Sequence, residues 1–246
     1  MKTVRSSEPD LPADGRTGTL AAQLSEAARE LQRAQDDPEA TLREVVKSAI
    51  VLIPGAEEAS ITEVAGRKSL ESRAASSELP ERVDAVMLEV GEGPCLDALF
   101  EERIVRVPEM ATEQRWPRFA PAAVQLGAHS MLSFQLRVEG DNLGSLNLYA
   151  SKPRAFTDES EHIGAVFATH AAIGYASAKQ LDQLNDALQT RDLIGQAVGI
   201  LMERYSITSD RAFATLIRIS QQSNRKLRDL AAELVGATEF AVRRDT

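Results

Sequence analysis

The sequence predicts an α+β protein: an antiparallel sheet with flanking helices, then a long linking helix, then an all-α module of three helices. Two observations carry this prediction. Residues 131–138 and 143–150 alternate polar and apolar side chains on either side of a Glu-Gly-Asp-Asn turn, which indicates a β-hairpin. No proline interrupts the chain from Thr157 to its end, which favours helix throughout that part.

The composition is that of a globular protein. The chain has 246 residues, of which 43% are apolar and 26% charged, so disorder of the whole chain is excluded. No stretch of about 18 uncharged apolar residues occurs, and residues 1–10 lack the apolar core of a signal peptide. We therefore expect a soluble, cytoplasmic protein without membrane contact. Cys95 is the single cysteine, and the three histidines are dispersed, so neither a disulfide scaffold nor a metal site is expected.

Charge divides the chain into two parts. The formal net charge of −9 argues against contact with nucleic acid. However, residues 188–246 hold nine Lys/Arg and seven Asp/Glu and carry +2, whereas residues 1–187 hold 19 and 30 and carry −11. The C-terminal part is therefore the better candidate for binding an anionic polymer.

The N-terminal region predicts a tail and two helices. Residues 1–18 are polar and charged with few apolar side chains, which predicts a mobile tail. Residues 19–36 repeat apolar side chains at helical spacing and predict an amphipathic helix that ends before Pro38. A second apolar series at 42–53 predicts another helix, whose wide apolar face implies packing on a sheet.

Further short strands are expected before the hairpin. Residues 59–64 and 69–74 flank a Gly-Arg-Lys turn and are compatible with two strands, and residues 104–107 predict another. Helical segments are expected near 80–88 and 119–126.

Beyond the hairpin, a long helix should begin at Thr157, a hydroxyl cap followed by an acidic first turn. Apolar residues continue in steps of three and four to Leu188, a pattern typical of a coiled-coil-like seam. We interpret residues 177–187 as a linker or stem helix that joins two copies of the chain in a homodimer.

Three apolar stripes then predict three short helices around one small core. They lie at 193–201, 212–219 and 227–235. A turn with capping residues at 206–210 separates the first two, and the polar segment 220–224 separates the last two. Phe213 lies on the second stripe and is expected in the core.

The strongest candidate binding segment lies around the second of these turns. From position 215 to 228 there are four basic residues, Arg218, Arg225, Lys226 and Arg228, and no acidic residue. Side chains able to contact phosphates or unpaired base edges are interleaved with them. Those side chains are Ser220, Gln221, Gln222, Ser223 and Asn224. From the residues alone, a solvated polar turn is the alternative interpretation.

Three blocks of this region resemble the ANTAR domain family: LQTRDLIGQAVGILMER at 188–204, AFATL at 212–216 and SQQSNRKLRDLA at 220–231. The resemblance implies a three-helix RNA-binding module at 188–246 that acts in transcription antitermination and recognises hairpins in nascent RNA as a dimer. It also adds two positions on the first helix to the candidates. The candidate RNA-binding residues are Arg191, Gln196, Arg218, Ser220, Gln221, Asn224, Arg225, Lys226 and Arg228.

The upstream region resembles a GAF sensor domain over 37–176. The residues that carry this resemblance are GEGPCLDA at 91–98, RWPRF at 115–119 and GSLNLY at 144–149, followed by Pro153 and Phe156. The resemblance implies a sensor or dimerisation module that could bind an unidentified small molecule. It implies no particular cofactor.

Two residues of this domain, Cys95 and Trp116, have specific expected roles. Some GAF domains attach a linear tetrapyrrole to cysteine, but Cys95 lies in Gly-Pro-Cys-Leu-Asp-Ala and is expected to be a small structural residue at the start of a helix. No bilin is predicted. Trp116 is expected to anchor a loop to the core.

Three other functions are weighed against RNA binding. Three small helices can form a helix-turn-helix unit, so a DNA-binding regulator is one alternative. A ligand sensor that acts through protein partners is another. An enzyme is not expected, because the sequence has no phosphate-binding glycine loop, no Gly-x-Ser-x-Gly and no cluster of metal ligands.

Overall fold

A computed structural model of the chain describes residues 15–65, 69–101 and 103–244, with side chains described over 21–64, 70–101 and 103–237. The chain divides into two compact units, Met1–Lys179 and Gln180–Thr246. The first unit is α+β and the second is entirely helical within its described residues, so the predicted fold class is confirmed.

The first unit is built on one five-stranded antiparallel sheet with strand order β2-β1-β5-β4-β3. The strands are β1 (Glu58–Ala65), β2 (Ser69–Ala75), β3 (Ile104–Val107), β4 (Ser130–Val138) and β5 (Asp141–Ala150). The predicted hairpin is β4–β5, and β1–β2 is the other predicted pair.

The described residues of the two units also form eight α-helices. They are α1 (Gly15–Arg33), α2 (Pro38–Leu52), α3 (Glu78–Val90), α4 (Pro94–Phe100), α5 (Phe119–Leu126), α6 (Asp158–Tyr205), α7 (Ser209–Ser223) and α8 (Leu227–Arg244). Helix α1 begins at Gly15, so it includes four residues of the segment expected to be a tail; residues 1–14 lie outside the described part. Helix α4 was expected only as a helix start at Cys95.

One face of the sheet packs against α1, α2 and the first part of α6. Leu132 and Phe134 of β4 lie opposite Leu148 and Leu146 of β5, and all four are buried in this core. Gly164 allows α6 to approach the sheet closely, since a Cβ added there would lie 2.2 Å from Cζ of Phe134.

The other face packs against α3, α4 and α5. Its apolar core includes Met87, Cys95, Phe119 and Met131, all buried. The strands also present buried polar side chains on this side, which form hydrogen bonds with one another and with Asp84 of α3. The strand residues in these hydrogen bonds include Ser60, Thr62, Asn147 and Tyr149. Ser133 and Ser145 are buried on the same side, where the Ser145 hydroxyl contacts Cys95 and the Ser133 hydroxyl has no partner among the described residues.

Helix α6 is a single helix of 48 residues. The sequence predicted a stem and a separate first helix of the C-terminal module, but the structure joins them. No proline lies between Asp158 and Tyr205, so nothing in the sequence ends the helix there. Residues 158–179 pack in the first unit, and Gln180 begins the second.

The second unit has a small core made largely of alanine and leucine. Ala197 and Leu201 of α6 pack with Ala212 and Leu216 of α7 and with Ala231 of α8. Small side chains at three of these five positions allow the helix axes to approach closely. The three predicted apolar stripes therefore share one core, as the sequence indicated.

Candidate functional site

The turn between α7 and α8 has a defined backbone. Helix α7 ends at Asn224, which adopts a left-handed conformation with φ of 50°, and its N–H donates to the carbonyl of Ser220. Asparagine tolerates this conformation better than most residues. The Ser220 hydroxyl donates to the carbonyl of Arg225 at 2.5 Å, and the Arg225 N–H donates back to the Ser220 carbonyl at 3.2 Å. The turn therefore presents Arg225 and Lys226 on a constrained segment.

Ser220 differs from the other candidates in this turn. It is half-buried and its hydroxyl proton is used within the turn, whereas Gln221, Asn224 and Lys226 are exposed. Ser220 thus positions the turn, and the exposed side chains are the ones available to a partner.

The basic residues fall into two groups. Arg225 pairs with Glu233 at 2.8 Å, and Arg228 lies 3.8 Å from Asp186. Arg218 and Lys226 form no ion pair with any described side chain, and both are exposed. Because no described carboxylate neutralises their charge, Arg218 and Lys226 contribute more to the positive potential of this turn than Arg225 and Arg228 do.

The outer face of α7 extends this cationic surface. Arg211 and Arg218 are seven residues apart, so they lie within about 20° of each other around the helix axis. Arg218 points about 160° away from the buried Leu216 by the same geometry. The sequence analysis missed Arg211; its heptad spacing from Arg218 was the available signal. We call Arg211, Arg218, Gln221, Asn224, Arg225 and Lys226 the α7 surface.

Arg191 and Gln196 are both exposed on α6, but the structure does not bring them onto one face. Five residues of helix separate their directions by about 140°. The Asp186–Arg228 contact places the start of α8 beside α6, five residues before Arg191. Around the axis of α6, Arg191 lies about 140° from Asp186 and Gln196 about 80°, so this contact places neither residue on the α7 surface.

Phe213 corrects one expectation. It was placed in the module core, but its side chain is 42% exposed. The neighbouring Ala212 takes the inward position, and the core has room only for small side chains there. Tyr205 is 63% exposed, so two aromatic rings of this module are accessible. Ile219 was also assigned to the apolar stripe and is likewise exposed.

In the first unit, Cys95 lies in the first turn of α4 and is completely buried, and its Sγ lies 2.9 Å from the Ser145 hydroxyl. Burial, together with the nearby Asp84 carboxyl, raises the pKa of the thiol to about 11. The residue is therefore a protonated structural thiol at neutral pH, in agreement with the sequence-based expectation.

Asp84 is the buried acid of the same region. It accepts hydrogen bonds from the Tyr149 hydroxyl and, at 3.1 Å, from Ser72. Burial raises its pKa to about 6, although these hydrogen bonds act in the opposite direction. The Asn147 amide oxygen and the Ser133 hydroxyl nearby are buried without a hydrogen-bond partner among the described residues.

Trp116 anchors its loop as expected. Its indole is buried, and Nε1 donates to the Asp97 carboxylate at 3.1 Å. Arg115 lies over the ring at 4.3 Å from the centroid. Over the described residues, no group of three His, Cys, Asp or Glu side chains could hold a metal ion.

The family comparisons agree with this architecture. Residues 35–174 match the GAF domain family and residues 182–235 match the ANTAR domain family. The chain belongs to the GAF domain family. It carries an ANTAR domain after the GAF domain, which confirms the resemblances found in the sequence.

The GAF-containing chain also resembles several solved structures. A GAF domain from an Acinetobacter phosphoenolpyruvate-protein phosphotransferase is 18% identical, with a TM-score of 0.55 and coverage of 66% of this chain and 95% of that one. A free methionine-R-sulfoxide reductase from Neisseria meningitidis is 15% identical, with a TM-score of 0.54 and coverage of 73% and 99%. Identities this low establish the shared fold alone.

A more distant comparison is the chromophore-binding domain of a bacteriophytochrome from R. palustris. It is 13% identical with a TM-score of 0.51, and the match covers 69% of this chain. This chain spans 64% of the length of that domain. No curated protein sequence matches this chain.

The two domains define a regulatory protein. An ANTAR domain implies an RNA-binding regulator of transcription antitermination, and a GAF domain implies a sensor module. In the part of the chain that the structure describes, no helix is both long enough and apolar enough to cross a membrane.

Proposed function

We propose that this GAF–ANTAR protein binds hairpin loops in nascent RNA through the α7 surface, and that residues 188–246 form the binding module. The supporting observation is the exposed, unneutralised charge of Arg218 and Lys226 beside the exposed amides of Gln221 and Asn224. Binding stabilises an antiterminator arrangement of the RNA at the expense of a terminator stem, so that polymerase continues.

RNA loops suit this surface better than closed helices. The deep major groove of A-form RNA does not admit side chains, whereas unpaired loop bases expose edges that amides can read. The exposed ring of Phe213 points about 140° away from Arg218 around α7, so the proposed surface recognises bases through its amides rather than through stacking on that ring.

We also propose that the protein acts as a homodimer through α6. Leu181, Leu184 and Leu188 follow each other at steps of three and four, and Leu184 and Leu188 are about half exposed in the single chain. This spacing is typical of helices that pack as a coiled coil, so we take a second copy of α6 as the partner of these leucines. Two modules held together bind two adjacent hairpins with a much higher effective concentration.

The protein acts by binding rather than by catalysis. Reductases that use cysteine require a thiolate, and Cys95, the only cysteine of the chain, is buried with its pKa raised to about 11. The protein should therefore not reduce free methionine-R-sulfoxide with a dithiol reductant, and turnover above the buffer rate would contradict this proposal.

Competition binding at one fixed salt concentration tests the RNA proposal. A labelled RNA with two hairpins joined by a short linker is challenged with unlabelled duplex DNA of the same sequence and with an RNA in which both loops are closed by pairing. We expect neither competitor to displace the labelled RNA at concentrations where unlabelled two-hairpin RNA does. Preferential displacement by duplex DNA would instead support a DNA-binding regulator.

A further inference from the structure

An open cavity of about 540 Å³ lies in the first unit, at the edge of the sheet beside α6. Strand β3 pairs with β4 only as far as Ile104 and Phe134, so Gln135–Val138 extend beyond it. A second cavity of about 300 Å³ shares Arg103, Gln135 and Arg137 with the first. The short edge strand thus leaves a continuous groove along the end of β4.

Two arginines in this groove differ from all others described in the unit. Eleven arginine side chains are described between positions 21 and 179, and nine of them lie within 4.0 Å of a carboxylate. The two that pair with no described carboxylate are Arg103 and Arg137, and both line the groove. Glu139 on its rim forms no salt bridge with either one. In an acidic domain, two guanidinium groups that line the same groove and pair with no described carboxylate indicate an anion site.

The backbone and the amides around these arginines are fixed. The Gln135 N–H donates to the Arg103 carbonyl at 2.9 Å, which holds the two segments side by side. The side-chain amides of Gln135 and Asn142 both donate to the carbonyl of Leu99 at 2.9 Å. The Asn142 amide oxygen is buried and has no partner among the described residues. The groove therefore combines polar groups held by hydrogen bonds with the positive charges of Arg103 and Arg137.

The dimensions and lining select a small organic ligand. A volume of about 540 Å³ lies within the range of metabolite sites. Phe100 lines the second cavity and is 68% exposed, so an apolar or planar part of a ligand could pack against its ring. We propose that this groove binds a small metabolite through a phosphate or carboxylate group held by Arg103 and Arg137.

Such a ligand contacts helix α6 directly. Ala165, Ala168 and Thr169 of α6 form part of the wall of the first cavity. The groove shares no lining residue with the buried polar cluster around Asp84 and Tyr149. Occupancy therefore acts on the helix that continues into the ANTAR domain and does not require opening of that cluster.

Isothermal titration calorimetry of the full chain tests the site. The probes are AMP, which carries a phosphate, citrate, which carries carboxylates, and adenosine, which lacks the anion, at one ionic strength in a buffer without other phosphate or carboxylate. We expect AMP or citrate to bind and adenosine not to. The double variant R103Q/R137Q should weaken that binding at least about tenfold. Whichever anion binds identifies the group that the site takes.

The matched control is R43Q/R82Q, which removes the same charge from two exposed arginines that already have carboxylate partners. Its affinity should stay within about twofold of the unaltered chain. The proposal is overturned if neither AMP nor citrate binds at concentrations up to about 1 mM, if adenosine binds as tightly as AMP, or if both double variants lose affinity equally. Equal melting temperatures establish that both variants are folded.

Discussion

The Tyr175 hydroxyl donates a 2.7 Å hydrogen bond to Oε1 of Glu63, which ties α6 to β1 within the first unit. Lys179 Nζ lies 2.6 Å from the same oxygen, and Arg73 Nε lies 3.4 Å from Oε2. Glu63 is buried, so these donors replace the water that its carboxylate loses on folding. Tyr175 and Lys179 are one helical turn apart, and this attachment therefore fixes the rotation of α6 against the sheet.

Replacing Glu63 with glutamine should destabilise the first unit by about 1–3 kcal/mol, because Lys179 loses its anionic partner at a buried carboxylate and Arg73 loses one of its three carboxylate contacts. Urea unfolding at pH 7 measures the loss. Glu78→Gln is the control, since Glu78 is exposed and lies 3.9 Å from Arg82. Equal stabilities of the two variants would contradict the importance of the Glu63 contacts.

The effect of Glu63 should depend on pH. Burial alone would raise its pKa, but the hydrogen bonds from Lys179 and Tyr175 and the positive charges of Lys179 and Arg73 lower the pKa below its usual value of 4.5. A carboxyl whose folded pKa is lowered stabilises the protein above its unfolded pKa, and this stability disappears as the pH falls through the folded value. The stability difference between the unaltered chain and Glu63→Gln should therefore be constant at pH 6–7 and shrink below about pH 4.5.

The contribution of Asp84 to stability should depend on pH in the opposite direction to that of Glu63. Its folded pKa is raised to about 6, so the protonated form is favoured in the folded state and stability is lost as the pH rises from about 4 to beyond 6. Asp84→Asn keeps an acceptor for Tyr149 and offers a donor to Ser72. Urea unfolding across this range should show the variant gaining roughly 2–3 kcal/mol relative to the unaltered chain. Parallel pH profiles for the two proteins would refute this.

Removing the unpaired cations of the α7 surface should weaken RNA binding without unfolding the module. Arg218→Ala with Lys226→Ala should lower affinity at least about tenfold and reduce the salt dependence by about 1–1.5 in the slope of log K against log salt. The melting temperature should be unchanged, because both residues are exposed.

The control is Arg29→Ala with Arg33→Ala, which removes two charges from α1, where both are paired. It should leave RNA affinity within about twofold. An identical loss of affinity in both double variants would indicate net charge rather than contact by the α7 surface.

Two substitutions on α7 distinguish a core position of the ANTAR module from a surface position. Leu216 is buried, so Leu216→Asp should abolish the cooperative unfolding of the module, at a cost of about 3–5 kcal/mol. Ile219→Asp adds the same charge three residues later at an exposed position and should change stability by less than about 1 kcal/mol. Circular dichroism during thermal unfolding distinguishes the two, and equal losses would contradict the assigned core.

Dimerisation through α6 makes a distinct prediction. Leu184→Glu with Leu188→Glu introduces like charges into the exposed apolar seam and should convert a dimer to a monomer in sedimentation velocity experiments. Gln183→Glu with Thr190→Glu adds the same charge at positions about 100° or more from Leu181, Leu184 and Leu188 around α6, and should leave the dimer intact. A monomeric unaltered chain, or dimers of both variants, would exclude this interface.

Much of the fold follows from local sequence patterns. The alternation in 131–138 and 143–150 predicts β4 and β5 because side chains on a strand alternate between two faces. The three C-terminal helices follow from apolar spacing and the turn residues between them. The continuity of α6 was not predicted, because its apolar face changes along its length, although no proline separates the two units in the sequence.

Some features of the candidate sites depend on tertiary packing, which an apolar pattern in the sequence does not determine. Phe213 satisfies the helical period, but Ala212 occupies the inward position of the small core and leaves the ring outside. Arg211 lies two turns before Arg218 on the same face, and the start of α7 at Ser209 brings it into the helix, ahead of the apolar stripe that begins at Ala212. Arg103 and Arg137 are 34 residues apart in sequence. They line one groove because β3 begins only at Ile104 and leaves the end of β4 after Phe134 without a paired strand.

The most direct test of RNA recognition by the ANTAR domain is an NMR titration of the isotope-labelled full chain with the two-hairpin RNA. The largest amide shifts should lie between residues 211 and 228, centred on Arg218 and on the turn at Asn224–Lys226. Shifts confined to residues 21–179, with the α7 surface unaffected at saturating RNA, would contradict the proposed site.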